Sequence, residues 1–177
     1  VCHVMKAEDV ALALSHPAIM LASDGLMDRG QGHPRGAGAF PRLLCRYVAA
    51  GKMNLDDAVA KMSAMPAQKL GLTRKGTLRK DADADIVIFD MDRIRDCATF
   101  EHPDRPPEGI EWVLIGGKIA VEHGTVKQSR LGRAIRAWQW SRRERRHGRI
   151  CEAAAFLSSG AYRILLQKPG HGRNGRK

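Results

Sequence analysis

The sequence predicts an α/β fold, and three observations predict it. The run Ala18-Ile-Met-Leu-Ala-Ser23 is apolar without alternation and closes on Asp24-Gly25, the pattern of a strand buried on both faces as in a parallel sheet. A short helical pattern, Ala7 to Leu14, precedes it and stops at Pro17, so helix, turn and strand follow in the order of a βαβ repeat. Near residue 72 the hydrophobic period changes from helical to alternating, which places a domain change there.

Taken in order, Glu8 and Asp9 occupy the first turn of the Ala7–Leu14 helix, where the helix dipole favours acids. Residues 25–39 are glycine-rich and contain Asp28, Arg29, His33, Pro34 and Arg35. They read as a loop that is long for a purely structural connection. Phe40, Leu43, Leu44, Tyr47 and Val48 then fall on one helical face, with Pro41 in the first turn and Gly51 as the stop. Asn54 is the expected N-cap of the next helix, whose buried stripe is Leu55, Ala58, Val59, Met62 and Met65. Pro66 is expected to end it, leaving a short turn to Leu70 closed by Gly71. The methionines are core filling.

The β part opens with a brief strand at Gly76-Thr-Leu78 and a strong one at Asp85–Asp90. Trp112–Ile115 and Lys118–Val121 flank Gly116-Gly117, a two-residue hairpin signal. His123-Gly124 turns the chain again into Thr125–Lys127, and Arg105-Pro-Pro-Glu-Gly109 is an ordered proline loop between strands.

Charge and composition limit the function classes. The net charge is +11, but residues 133–177 carry twelve Lys/Arg against two Glu, a net of +10 that leaves residues 1–132 at +1. The basicity belongs to the tail, where Arg142-Arg-Glu-Arg-Arg146 forms a block and residues 168–177 have a disordered composition. Ala153 to Leu166 reads as an isolated amphipathic element. Cys2, Cys45, Cys97 and Cys151 lie far apart without a C-x-x-C pair, which fits free thiols and a cytoplasmic setting. The seven histidines include no H-x-H and no H-E-x-x-H, so the chain holds no self-contained metal motif. No run reaches the roughly 18 apolar residues of a membrane span, and no membrane partner is expected. Helical signals begin almost at Val1, the start expected of a portion of a longer protein.

Parallel sheets place chemistry on the loops beyond the carboxyl ends of their strands, and Asp24 stands at such an end. The plainer reading is an aspartate capping the turn at Gly25. Arg35 reads equally as a solvated loop arginine, and His33 as a turn residue or loop wall with no ligand role.

Ala22-Ser-Asp24-Gly25, His33-Pro-Arg35, Phe40-Pro41, Leu55-Asp-Asp-Ala-Val59, Met65-Pro66-Ala67 and Leu70-Gly-Leu72 occur in a telling order. With Gly76-Thr-Leu78, Ala84-Asp-Ile-Val-Ile-Phe-Asp90, Thr99-Phe100 and Gly117-Lys118, the series resembles the C-terminal part of the N-acyl-D-amino-acid deacylases (D-aminoacylases) of the amidohydrolase superfamily. The similarity spans about residues 1–136. It implies the last repeats of a metal-dependent (β/α)8 TIM-type barrel over residues 1–71, with Ala18–Ser23 as the eighth strand. Strands of a small β-sandwich would follow over 72–136, and residues 137–177 would be a basic tail foreign to the family. It further implies a Zn2+ cofactor whose main ligands lie outside this sequence, and a small N-acyl-D-amino acid as substrate. Asp24 would be both metal-contacting and the general base, and Arg35 would hold the substrate carboxylate.

Those residue types suit that chemistry. Zinc lowers the pKa of bound water toward about 7, a carboxylate can take the proton and pass it to the leaving amine, and a planar guanidinium pairs with a carboxylate in bidentate fashion. Asp81 departs from the family's turn glycine, a mild mismatch because aspartate tolerates positive φ. Alternatives are an amidohydrolase of cyclic amides or dipeptides, and a nucleic-acid-binding module driven by the basic tail. Salt-dependent binding that survives deletion of residues 137–177 would favour the last, although no specific nucleic-acid partner is expected.

Overall fold

The computed structural model describes residues 5–135 and, within the tail, Leu165–Gln167. The remainder of the tail reading, including the arginine block and most of Ala153–Leu166, lies outside the described residues. Helix α1 (Ala7–Ser15) forms as expected and buries none of its residues.

The run after it corrects the expectation of a doubly buried strand at Ala18–Ser23. Residues 19–26 join no ladder, and Ile19 and Met20 are 41% and 37% exposed. An apolar run becomes a buried strand only where neighbours take its N–H and C=O groups, and none of the described strands lies beside it. Its attachment comes instead from helix α3 (Leu55–Met62). Lys61 Nζ donates to the carbonyls of His16 at 2.6 Å and Ile19 at 2.9 Å, and Leu21 N donates to Lys61 O at 3.1 Å.

The expected loop at 25–39 is more ordered than its composition implied. Met27–Asp28 (β1) and Gln31–Gly32 (β2) pair as a minimal hairpin across Arg29-Gly30, both at positive φ as a type I′ turn requires. Helix α2 (Arg35–Leu43) then begins five residues before Phe40, on Pro34 at φ −57°. Pro41 therefore sits inside the helix rather than in its first turn, and lacks the N–H that would pair with Ala37 O. The helix widens immediately afterwards into a π turn, Leu44–Val48, with Ala49 N bonded to Leu44 O.

Asn54 caps α3 as expected, its Oδ1 accepting from Asp57 N at 2.7 Å. The helix stops at Ser63 (φ −135°, ψ −69°), not at Pro66. Pro66 lies in the first turn of α4 (Ala64–Lys69), where a missing N–H is harmless. Gly76-Thr-Leu78 is not a strand, and Leu78 is exposed.

The remaining strands form largely where the alternation placed them: β3 (Ile86–Phe89), β4 (Ile110–Ile115), β5 (Lys118–Glu122) and β6 (Thr125–Val126). They build an antiparallel sheet to whose free β3 edge β7 (Leu165–Gln167) adds in parallel, giving the order β6-β5-β4-β3-β7. Gly116 and Gly117, at φ +57° and +79°, make the expected β4–β5 turn. Asp81 takes φ +68°, the conformation a glycine would otherwise supply.

Leu43, Leu44, Ala58 and Met62 from the helices share one buried cluster with Phe89 and Ile94, while Val87, Val113 and Ala120 form a second within the sheet. The architecture is mixed α/β, and its main core straddles residue 72. Among the described residues no helix is long and apolar enough to cross a membrane, and Cys45 and Cys97 are free thiols.

A charge network fastens the loop before β3 to the sheet. Lys75 pairs with Asp83 (2.9 Å) and Asp85, Arg74 and Arg133 also reach Asp83, and Asp85 Oδ1 accepts from Gly116 N at 2.8 Å. Burial opposes ionisation of Asp83, but the Lys75 hydrogen bond and the charges of Lys75, Arg74 and Arg133 outweigh it and hold the carboxyl below its ordinary 3.8. A lowered carboxyl stabilises the fold above the unfolded-state value and loses that contribution as pH falls through the lower folded-state value. Urea unfolding should therefore show stability declining below about pH 4. Lys75→Met should cost roughly 2–4 kcal/mol at pH 7 and should flatten that acid limb. It removes the ammonium shared by two carboxylates with little solvent access, leaving, among the described residues, Asp85 only the Gly116 N–H and Asp83 only Arg74 and Arg133.

Candidate active site

Asp24 and Arg35, both singled out in the sequence, lie side by side. Asp24 adopts φ +43° where the chain leaves the pinned 16–21 segment. Gly25 then passes so close to Gly36 that a methyl on Gly25 would overlap Gly36 Cα and fall 2.7 Å from its N. This approach brings the first turn of α2 against Asp24. Arg35 Nη2 donates to Asp24 Oδ2 at 2.8 Å and Arg35 Nε to Asp24 O at 2.9 Å. Arg35 is thus ion-paired at the start of α2 while still half exposed, and the Asp24 carboxylate takes a guanidinium rather than capping the Gly25 turn.

The pair is open to solvent, with Asp24 68% exposed. Exposed ion pairs contribute about 0–1 kcal/mol, so an incoming anion can compete for Arg35 without undoing the fold. The guanidinium spends its Nε–Nη2 edge on Asp24, and Nη1 makes no hydrogen bond among the described residues. Asp24 Oδ1 has no hydrogen-bond partner among the described residues.

His33 meets the pair at the Arg35 backbone. Its Nδ1 accepts from Arg35 N at 3.1 Å, which places the proton of a neutral ring on Nε2. Its ring meets Phe100 edge-on at 5.2 Å. That agrees with the reading of His33 as a turn residue.

Sequence reasoning gave no role to the loop after β3. Asp96, with its side chain 2% exposed, accepts from Arg42 Nε at 2.6 Å and from Ala98 N at 3.2 Å. It also fills the space beside Gly38, where a methyl would overlap Asp96 Oδ1. No local signal could have shown this, since Arg42 and Asp96 are 54 positions apart.

Among the described residues, no three His, Cys, Asp or Glu side chains converge as a metal would require. Asp24 can offer a zinc ion one hard oxygen donor and no more, so these residues alone do not make a zinc site. A separate cleft of about 630 Å³ lies along the proline loop, lined by Arg93, Arg95, Arg105, Glu108 and Glu111 among others, and shares no residue with the Asp24–Arg35 pair.

With this geometry in view, the chain's affiliation is plain: the amidohydrolase family model matches residues 3–121, and the chain belongs to that family. The N-acyl-D-glutamate deacylase of Alcaligenes xylosoxydans xylosoxydans is 41% identical over 133 residues, which are 75% of this chain and 27% of that protein. A crystal structure of D-aminoacylase superposes with a TM-score of 0.68 at 36% identity, covering 72% of this chain and 27% of the other. The N-acyl-D-glutamate deacylase of Bordetella bronchiseptica, crystallised with zinc and a phosphonate mimic of the tetrahedral intermediate, superposes at 0.63 with 41% identity over 66% of this chain and 25% of its own. The chain spans about a quarter of the length of these relatives.

The Gly25–Gly36 approach makes an asymmetric prediction. Gly25→Ala meets backbone that cannot move aside and should cost about 1–3 kcal/mol while separating Asp24 from Arg35. Gly36→Ala would place its methyl no nearer than 3.7 Å to any neighbour and should be neutral or slightly stabilising. Thermal melts together with amide exchange over residues 24–36 check both; equal effects would contradict the close packing.

Proposed function

We propose that this chain supplies the acid–base and substrate-carboxylate side of a zinc-dependent N-acyl-D-amino-acid deacylase, which releases a carboxylate and a D-amino acid. The single observation supporting this most directly is the Asp24–Arg35 contact, seated in a chain 41% identical to an N-acyl-D-glutamate deacylase. In this reading residues 1–71 are the last βα repeats of a (β/α)8 barrel, and the run Ala18–Ser23, unpaired among the described residues, becomes its eighth strand only beside strands of the longer protein. Residues 72–136 are strands of a small β-sandwich, and 137–177 are a basic tail outside the family pattern.

A bound zinc, held mainly by ligands other than the described residues, supplies an acidified nucleophile. Asp24 offers its unpartnered oxygen to the proton of the attacking water and delivers that proton to the leaving nitrogen. Arg35, turning its free edge to the substrate's α-carboxylate, fixes the acyl nitrogen relative to Asp24. Bidentate pairing gives both affinity and orientation, which a lysine would not.

The tests use the longer protein that contains this chain. Asp24→Asn should lower kcat on N-acetyl-D-glutamate by 10²–10⁴-fold, roughly the worth of a general base. Arg35→Ala should lower kcat/KM by roughly 100-fold on substrates with a free α-carboxylate, and little on their amides. Unchanged turnover in Asp24→Asn, or a preference for a cyclic amide, would defeat the reading. The 177-residue chain by itself should neither bind zinc tightly nor hydrolyse N-acetyl-D-methionine.

A further inference from the structure

Arg35, Gly38 and Arg42 stand at i, i+3 and i+7 of α2, one stripe of the helix surface. Asp96 lies on that stripe. Its carboxylate covers Gly38 and takes the Arg42 guanidinium, while Ala98 N fixes it from its own loop. Two residues beyond Ala98, Phe100 meets the ring of His33, whose Nδ1 holds Arg35 N. The Asp96–Phe100 segment thus grips the start of α2 from two sides, once through the helix stripe and once through the preceding turn. Both grips converge on the residue that donates to Asp24.

We infer that Asp96 is a positioning residue for the Asp24–Arg35 pair, setting the height and rotation at which α2 presents the Arg35 guanidinium. The inference rests on the deacylase reading for its catalytic meaning, but not for its geometry. Gly38 belongs to the same device, because only a residue without a side chain lets the carboxylate lie against the helix backbone. The geometry also explains why an acid with almost no solvent access is present in this loop. A buried carboxylate is costly unless paired, and here the pairing joins α2 to the segment leaving β3.

The geometric half can be tested on the 177-residue chain, using the ¹⁵N–¹H signal of Arg35 Nε. Bonded to Asp24 O at 2.9 Å, this proton should exchange slowly and give a resolved signal. Asp96→Ala should collapse it to the shift and exchange rate of free arginine, and Asp96→Asn, which keeps an acceptor for Ala98 N, should leave it partly protected. If Asp96→Ala does not fold, Gly38→Ala applies the same displacement from the helix side and should give the same loss. Lys127→Ala, at a surface pair with Glu122, is the control and should leave the signal alone. An unchanged Arg35 signal in either folded variant overturns the proposal.

The catalytic half is read in the longer protein. Displacements of about 1 Å at a reacting pair cost up to 100-fold, so Asp96→Asn should lower kcat/KM about 10–100-fold on carboxylate-bearing substrates. The loss on their amides should be much smaller, a split that general destabilisation would not produce. Equal loss on both classes with an unperturbed Arg35 signal would remove Asp96 from the site and leave the deacylase reading intact. A perturbed Arg35 signal in a protein without deacylase activity would retain the geometry and sink the reading.

Discussion

The structure depends on an ammonium group with nowhere to go but two backbone carbonyls. Lys61 is 4% exposed and sits on the inner side of α3, where its Nζ donates to His16 O and Ile19 O. The carbonyls it takes belong to a segment with no strand beside it, and Leu21 N completes the clasp on Lys61 O. Buried lysine is rare because the charge must be hydrogen-bonded to be tolerated. Here that requirement is turned into a tether, since the lysine is satisfied only if residues 16–21 run across the helix. Where they run determines where Asp24 emerges, three residues later.

The second constraint is how close α2 can come to that point. Gly25 and Gly36 remove the side chains that would hold the two backbones apart, and Arg35 closes the gap with two hydrogen bonds. The pair itself is weak, as exposed ion pairs are, and its position is set by the tether on one side and by the packing around Leu43, Leu44 and Phe89 on the other. A site of this kind can exchange partners at little cost, because its geometry is stored in buried contacts and not in the exposed charges.

How much of this was legible in the sequence follows from the range of the interactions involved. The helical stripe from Phe40 to Val48, the Asn54 cap, the β3–β4–β5 alternation and the Gly116-Gly117 turn were all readable, because each is fixed by residues within a turn or two. Asp24 and Arg35 were readable as candidates from their motif context, though their mutual contact was not. The Ala18–Ser23 strand failed for a physical reason: its composition describes a strand in need of neighbours, and the described residues contain none. Helix α2 began earlier than periodicity implied because His33-Pro34 starts a helix that polar and glycine residues conceal, and Pro41 was mistaken for a start signal. The Ser63 break left no mark, since a serine interrupting a helix looks like any other serine. Asp96 was invisible because its partner lies 54 residues away.

That last distance bears on why a small sheet follows the helices at all. Helices α2 to α4 could hold Asp24 through Lys61 without help from any strand. They could not fix Arg35, whose helix starts on a proline turn and contains a second proline that removes a hydrogen bond from its middle. A helix weakened in this way needs an external hold near its first turns, and the chain supplies it from the segment leaving β3, through Asp96 on the Gly38–Arg42 stripe and Phe100 on His33. Phe89 and Ile94, both 1% exposed, anchor that segment in the helical core. The sheet, in turn, is fastened to the preceding loop by Lys75, Asp83 and Asp85. Helices and sheet are therefore coupled at the one place where the candidate chemistry needs rigidity, and the acid and the arginine reach their contact from supports on opposite sides of residue 72.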